Sequence, residues 1–69
     1  MTKTEFINTV MENGYSAEEH TVVKYGKEYN GVTVSKEGTQ LAPTFYMEHI
    51  AELDEFDVMS AVEEAFKDA

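Results

Sequence analysis

The sequence contains no cysteine, no arginine and no tryptophan, and a single proline. Without cysteine the chain can form neither disulfides nor thiolate metal sites, which is typical of a protein in a reducing compartment. No stretch approaches the roughly 18 apolar residues of a membrane span, and the first residues form no apolar run of signal-peptide length. We therefore expect a cytoplasmic protein that does not bind membranes.

Positive charge is scarce, and the imbalance is local. Five lysines face fourteen carboxylates, for a net charge of −9. Residues 48–69 hold eight acids and one lysine, a net of −7. Nucleic-acid contacts depend on arginine and lysine, so this composition excludes nucleic acid as a partner and favours basic or neutral ones. The acids of this segment are Glu48, Glu52, Asp54, Glu55, Asp57, Glu63, Glu64 and Asp68.

Two helices are predicted near the ends of the chain. Thr2 and Glu5 have the spacing of a capping box, and Gly14 suits a helix C-terminus, which predicts a helix over residues 3–13. An apolar stripe predicts a second helix over 57–68, capped by Asp54 or Asp57. Between the third strand and this helix, the spacing of Ile50 and Leu53 predicts a short helical turn.

The central segment predicts three strands, over residues 20–25, 29–35 and 41–47, joined by turns at 26–28 and 36–40. A second capping box, from Ser16 to Glu19, suggests a single helical turn before them. Because short turns join the three segments, we expect an antiparallel meander in which each strand pairs with the next. Pro43 then belongs on an edge strand with its nitrogen facing outward.

The predicted fold is a single α+β domain, residues 1–69, with the order α-β-β-β-α and two helices packed on one face of the sheet. The double-stranded RNA-binding domain has the same order. Its second helix begins with a lysine cluster that contacts phosphates, whereas the corresponding segment here begins DEFDVMSAVEE. The resemblance fails at that point, so we do not expect RNA binding.

Catalytic and metal-binding patterns are weak. His49 and Glu52 lie three residues apart, with Glu48 adjacent, but one such pair among fourteen carboxylates is expected by chance. The serines have structural roles in turns, strands and helices, and no glycine-rich phosphate loop is present. We predict no enzyme activity, no metal and no cofactor.

The tyrosines are better candidates for function. If Val32, Val34 and Phe45 point toward the helices, the alternation of strand residues brings four amphipathic side chains to the opposite face. Aromatic residues on an open sheet face are typical of interfaces. The predicted partner-binding residues are Tyr29, Thr33, Thr44 and Tyr46.

The segment YNGVTVSKEGTQLAPTFYMEHI, followed by FDVMSAVEEAF, resembles the N-terminal part of the bacterial domain-of-unknown-function family 5688. The resemblance covers roughly residues 3–68 and is strongest at 30–34 and around Pro43 and Tyr46. It departs in the link AELDEFD, which lacks the family's glycine. The family has no assigned activity, so the resemblance implies no catalytic residues.

We therefore interpret the chain as a small acidic module that binds a protein partner or forms a homodimer. The alternative is an acidic decoy, a nucleic-acid mimic that inhibits a basic nucleic-acid-binding protein through residues 48–69. Salt distinguishes the two, because a charge-driven complex weakens steeply as ionic strength rises.

Overall fold

A computed structural model describes residues 1–67 of the chain. A helix is followed by three antiparallel strands and then two helices, in an α+β fold. The strand order within the sheet is β1-β2-β3, as the meander predicts. The elements are α1 (Lys3–Glu12), β1 (Ser16–Lys24), β2 (Lys27–Ser35), β3 (Thr44–Tyr46), α2 (Met47–Glu52) and α3 (Val58–Lys67).

Helix α1 has the ends that the sequence predicts. The Glu5 backbone N–H donates to Thr2 Oγ1 at 3.1 Å, and the Thr2 backbone N–H donates to Glu5 Oε1 at 3.0 Å, which completes the capping box. The helix ends at Glu12 with Asn13 as its C-cap, and Gly14 follows with a φ of +89°, a left-handed conformation that glycine adopts at low cost. Both capping predictions are confirmed.

Strands β1 and β2 form a long hairpin that begins earlier than the sequence suggests. The register runs without interruption from Ser16 opposite Ser35 to Lys24 opposite Lys27. The predicted helical turn at Ser16–Glu19 is wrong, because these residues pair with β2 instead. The hairpin turns at Tyr25 and Gly26, whose φ angles of +52° and +76° give the two-residue turn that suits strand twist.

Strand β3 is shorter than predicted, and Pro43 explains why. The Val34 N–H donates to the Pro43 carbonyl at 2.9 Å, so Pro43 occupies a hydrogen-bonding position opposite Val34. Its nitrogen therefore faces the ladder and not solvent, contrary to the prediction. Since proline has no N–H to return the second bond, regular pairing begins only at Thr44. The placement of β3 at an edge of the sheet is confirmed.

Two helices follow β3, where the sequence predicts a helical turn and one helix. Helix α2 starts directly after Tyr46 and buries Ile50. Asp54 Oδ1 accepts from the backbone N–H groups of Phe56 and Asp57, at 2.9 and 3.0 Å, in the turn that leads into α3. Asp68, the last residue of the predicted helix, lies outside the described residues.

All helices lie on one side of the sheet and share one core with it. Helix α1 packs on β1 and β2, and also contacts α2 and α3. The Phe6 and Phe45 rings meet with centroids 5.2 Å apart, and Tyr15 and Phe66 join the start of β1 to α3 at 5.3 Å. The buried residues are Phe6, Val10, Val32, Val34, Phe45, Ile50, Val58 and Val62. Within residues 1–67, no helix has the length and apolar character needed to cross a bilayer.

Candidate functional site

The four predicted partner-binding residues lie together on the sheet face opposite the core, which we call the outer face. Val32 lies opposite Phe45 in the ladder, and both are buried beneath the helices. Thr33 and Thr44, which also pair directly, point to the other side because strand side chains alternate. Tyr29 and Tyr46 share their face and are 40% and 42% exposed.

Direct contacts join these four residues in two pairs. The hydroxyl groups of Thr33 and Thr44 form a hydrogen bond of 3.0 Å across the strands. The Tyr29 and Tyr46 rings meet edge to face with centroids 6.3 Å apart. This arrangement is favourable for aromatic pairs. The two tyrosines therefore form one aromatic surface that is partly open to solvent.

The tyrosine pair borders an open groove of about 470 Å³. We call this the tyrosine groove. Its volume lies in the range of ligand-binding clefts, and its surface combines apolar contact area with charges of both signs. The lining residues are Val22, Lys24, Glu28, Tyr29, Asn30, Tyr46, Met47 and Glu48.

The sequence reasoning missed half of the groove because the hairpin register was unknown. Val22 lies directly opposite Tyr29, which places it on the outer face. A turn assigned to Tyr25 and Gly26, and not to 26–28, would have identified this pair from the sequence. Met47 and Glu48 reach the groove because α2 starts at once after Tyr46, which the strand pattern did not indicate.

The groove also contains a free stretch of strand edge. The pairing of β2 with β3 ends where Gly31 lies opposite Tyr46. Beyond this point the chain turns into α2, so within residues 1–67 no strand pairs with Lys27–Asn30 on that side. The groove thus offers backbone hydrogen-bonding groups next to two tyrosine rings.

The acidic surface lies outside the core and is open to solvent. Seven carboxylates of residues 48–67 are exposed. The ion pair found in the described part of the chain joins Lys3 Nζ to Glu19 Oε1 at 2.9 Å and involves none of them. The exposed acids are Glu48, Glu52, Asp54, Glu55, Asp57, Glu63 and Glu64.

In the part of the chain that the structure describes, no three potential metal ligands cluster around either histidine. His49 is exposed, and its ring contacts Phe45 edge to face at 5.9 Å. His20 lies on the outer face of β1, opposite Gly31. Among the described residues, His49 and Glu52 are therefore not joined by a third potential ligand.

Comparisons with known protein families, with curated proteins and with solved structures found no match for this chain. The resemblance to family 5688 stays a prediction. The residues that carry it fall on β2, at 30–34, and on β3 and its flanks, at Pro43, Thr44, Tyr46 and Met47.

Proposed function

We propose that the chain is a small, acidic, non-enzymatic interaction module that binds a protein partner through the outer face of its sheet. The observation that supports this most strongly is the exposed, edge-to-face pair of Tyr29 and Tyr46 beside the tyrosine groove. Tyrosine gives a large, stiff contact area with a polar tip, so it is enriched in protein interfaces. The absence of cysteine supports a cytoplasmic location for this role.

The partner that fits the tyrosine groove is an extended peptide segment. Such a segment would continue the path of β3 along the free edge of Lys27–Asn30, and its backbone would pair with β2. One of its apolar side chains would pack between Val22 and the two tyrosine rings. The carboxylates of Glu28 and Glu48, against Lys24 alone, favour a segment with net positive charge.

Paired aromatic substitutions test this proposal. Tyr46→Ala and Tyr29→Ala should each weaken binding of the partner by about tenfold or more, as truncation of an interface aromatic does. Phe56→Ala is a matched control, because Phe56 is an 83% exposed aromatic outside the groove. Proteins captured from a host lysate by the unmodified chain supply the partner, whose affinity is then measured by calorimetry.

The control decides between outcomes. Equal loss of binding in all three variants would contradict an interface at the tyrosine groove, as would undiminished binding by both tyrosine variants. Circular dichroism of each variant separates lost binding from lost folding. Since both tyrosines lie on the outer face and neither belongs to the buried core, the variants should keep the wild-type spectrum.

The exposed acids support a second candidate function, in which the chain acts as a decoy for a nucleic-acid-binding protein. Seven carboxylates on α2, α3 and their connection have no lysine partner within residues 1–67. A decoy complex should weaken steeply with added salt and should tolerate Tyr46→Ala. It should lose affinity when Glu63 and Glu64 are both replaced by glutamine, a change that the groove proposal predicts to be nearly neutral.

A further inference from the structure

Strand β1 presents an open edge along its whole length. It pairs with β2 on one side, and no strand among residues 1–67 pairs with it on the other. The Val34 N–H points toward β3, so the pair of Val34 and Ala17 exchanges no hydrogen bonds in the ladder. By alternation, the backbone groups of Ala17, Glu19, Thr21 and Val23 all point outward.

This edge has only one of the features that normally prevent strand pairing, which is the charge of Glu19 on the helix-facing side, where Glu19 pairs with Lys3 of α1. Natural edge strands are short, or carry proline, bulges or inward-pointing charges. The β3 edge has two of these, since it spans three residues and follows Pro43. Strand β1 has nine residues, no proline and no glycine, and its register with β2 contains no bulge. It is therefore suited to add another strand.

A second copy of β1 fits this edge in one favoured register. In a two-fold antiparallel pair centred on Thr21, each Glu18 lies opposite Lys24 of the other copy. Centring the pair on Glu19 would place the two Glu19 carboxylates against each other, which is destabilising. Centring it on His20 would place Glu18 opposite Val22 and leave no ion pair.

We propose that two copies of this chain associate through β1, centred on Thr21, and join their three-stranded sheets into one continuous sheet. In this register Thr21 pairs with Thr21 of the other copy, and Glu19 pairs with Val23 twice. Each pair exchanges two backbone hydrogen bonds, so the contact contains about six. Val23, which is 69% exposed in the single chain, is partly covered. Two ion pairs between Glu18 and Lys24 fix the register.

The negative charge of the chain is not concentrated where the two copies of β1 would meet. Strand β1 contains two acids, Glu18 and Glu19, and one lysine, Lys24. Its net charge is therefore −1, whereas that of the whole chain is −9. Most of the negative charge lies in residues 48–69, outside the sheet. The proposed contact lies on the opposite edge of the hairpin from the free edge of β2, but Lys24 also lines the tyrosine groove. Glu18→Lys and Thr21→Pro therefore test the dimer without changing a residue of the groove.

Charge exchange tests the register directly. Glu18→Lys and Lys24→Glu each place like charges opposite each other in the homodimer, and each should weaken self-association by about tenfold or more. An equimolar mixture of the two variants should form a heterodimer, because every position 18 then faces an opposite charge at position 24. The double variant E18K/K24E should dimerise like the wild type. Sedimentation equilibrium measures all four samples.

Thr21→Pro provides a second test that does not depend on charge. The Thr21 N–H points away from β2, so proline there removes the central bonds of the dimer and none of the β1–β2 ladder. This variant should be monomeric with a folded circular dichroism spectrum. A wild-type chain that stays monomeric at every concentration would overturn the proposal, as would a dimer that persists in Thr21→Pro and in both single charge variants. Tyr46→Ala should leave self-association unchanged.

Discussion

Gly31 is the position where a single methyl group should most clearly damage the fold. It lies on β2 opposite Tyr46 and His20, and is buried. A Cβ at this position would lie 2.6 Å from the Phe45 carbonyl oxygen and 3.2 Å from the Phe45 carbonyl carbon and Tyr46 Cα. All three are backbone atoms, so no side-chain rotation can relieve the contact, and β3 must move away from β2.

The expected cost follows from two opposing terms. Forcing an extra carbon into a closely packed site costs typically about 1–3 kcal/mol. Replacing glycine by alanine restricts the unfolded chain and returns about 0.4–1 kcal/mol. Gly31→Ala should therefore lower the free energy of unfolding by about 1–2 kcal/mol, which for a domain of this size lowers Tm by roughly 4–8 °C per kcal/mol. Urea and thermal unfolding, followed by circular dichroism, measure both quantities.

Gly14→Ala is the control for Gly31→Ala, because it changes the cost of the backbone conformation without creating a steric contact. Gly14 has φ of +89° and no atom within 4 Å of an added Cβ, so its cost comes from the left-handed conformation alone, about 1–2 kcal/mol. Hydrogen exchange distinguishes the variants. Gly31→Ala should speed exchange of the Val34 amide, which bonds to Pro43, and Gly14→Ala should not. A Gly31→Ala protein as stable as wild type, or one with unchanged exchange at Val34, would refute the close approach of β3.

Three further outcomes are expected. Phe6→Ala removes a fully buried ring that packs on Phe45, and should cost about 3–5 kcal/mol in urea unfolding; a loss below about 1 kcal/mol would be inconsistent with this core. Tyr46→Ala should cost about 1–2 kcal/mol, because the residue is 42% exposed but loses its edge-to-face contact with Tyr29, and a loss of about 3–5 kcal/mol, as for Phe6→Ala, would mean that Tyr46 is buried. Hydrogen bonds from the backbone N–H and then the hydroxyl of Thr2 hold the pKa of Glu5 below its ordinary value of 4.5. Their stabilisation is present above about pH 4.5 and is lost as the pH falls through the lower folded-state pKa, so Glu5→Gln should flatten the fall in stability over that window; an unaltered pH profile would contradict this.

The candidate site was only partly predictable, and the reason is geometric. Alternation along β2 and β3 was enough to bring Tyr29, Thr33, Thr44 and Tyr46 to one face. Val22 and Met47 were missed because their positions depend on the hairpin turn and on where β3 ends. Neither is a property of one strand, since a shift of one residue reverses the face of every side chain.

Local sequence patterns determined the helices of this protein. The Thr2–Glu5 capping box, Gly14 and the apolar stripes gave the helices because hydrogen bonds and burial within a single segment suffice for them. The extent of the strands was decided only by the tertiary structure. Residues 16–19 could have begun a helix, but they lie opposite Val32 and Val34 and join the ladder there. Pro43 could have belonged to the third strand, but it has no N–H to donate to Val34. Regular pairing therefore starts at the next residue, Thr44. In both places the deciding hydrogen bonds come from a distant part of the chain, and no local pattern contains them.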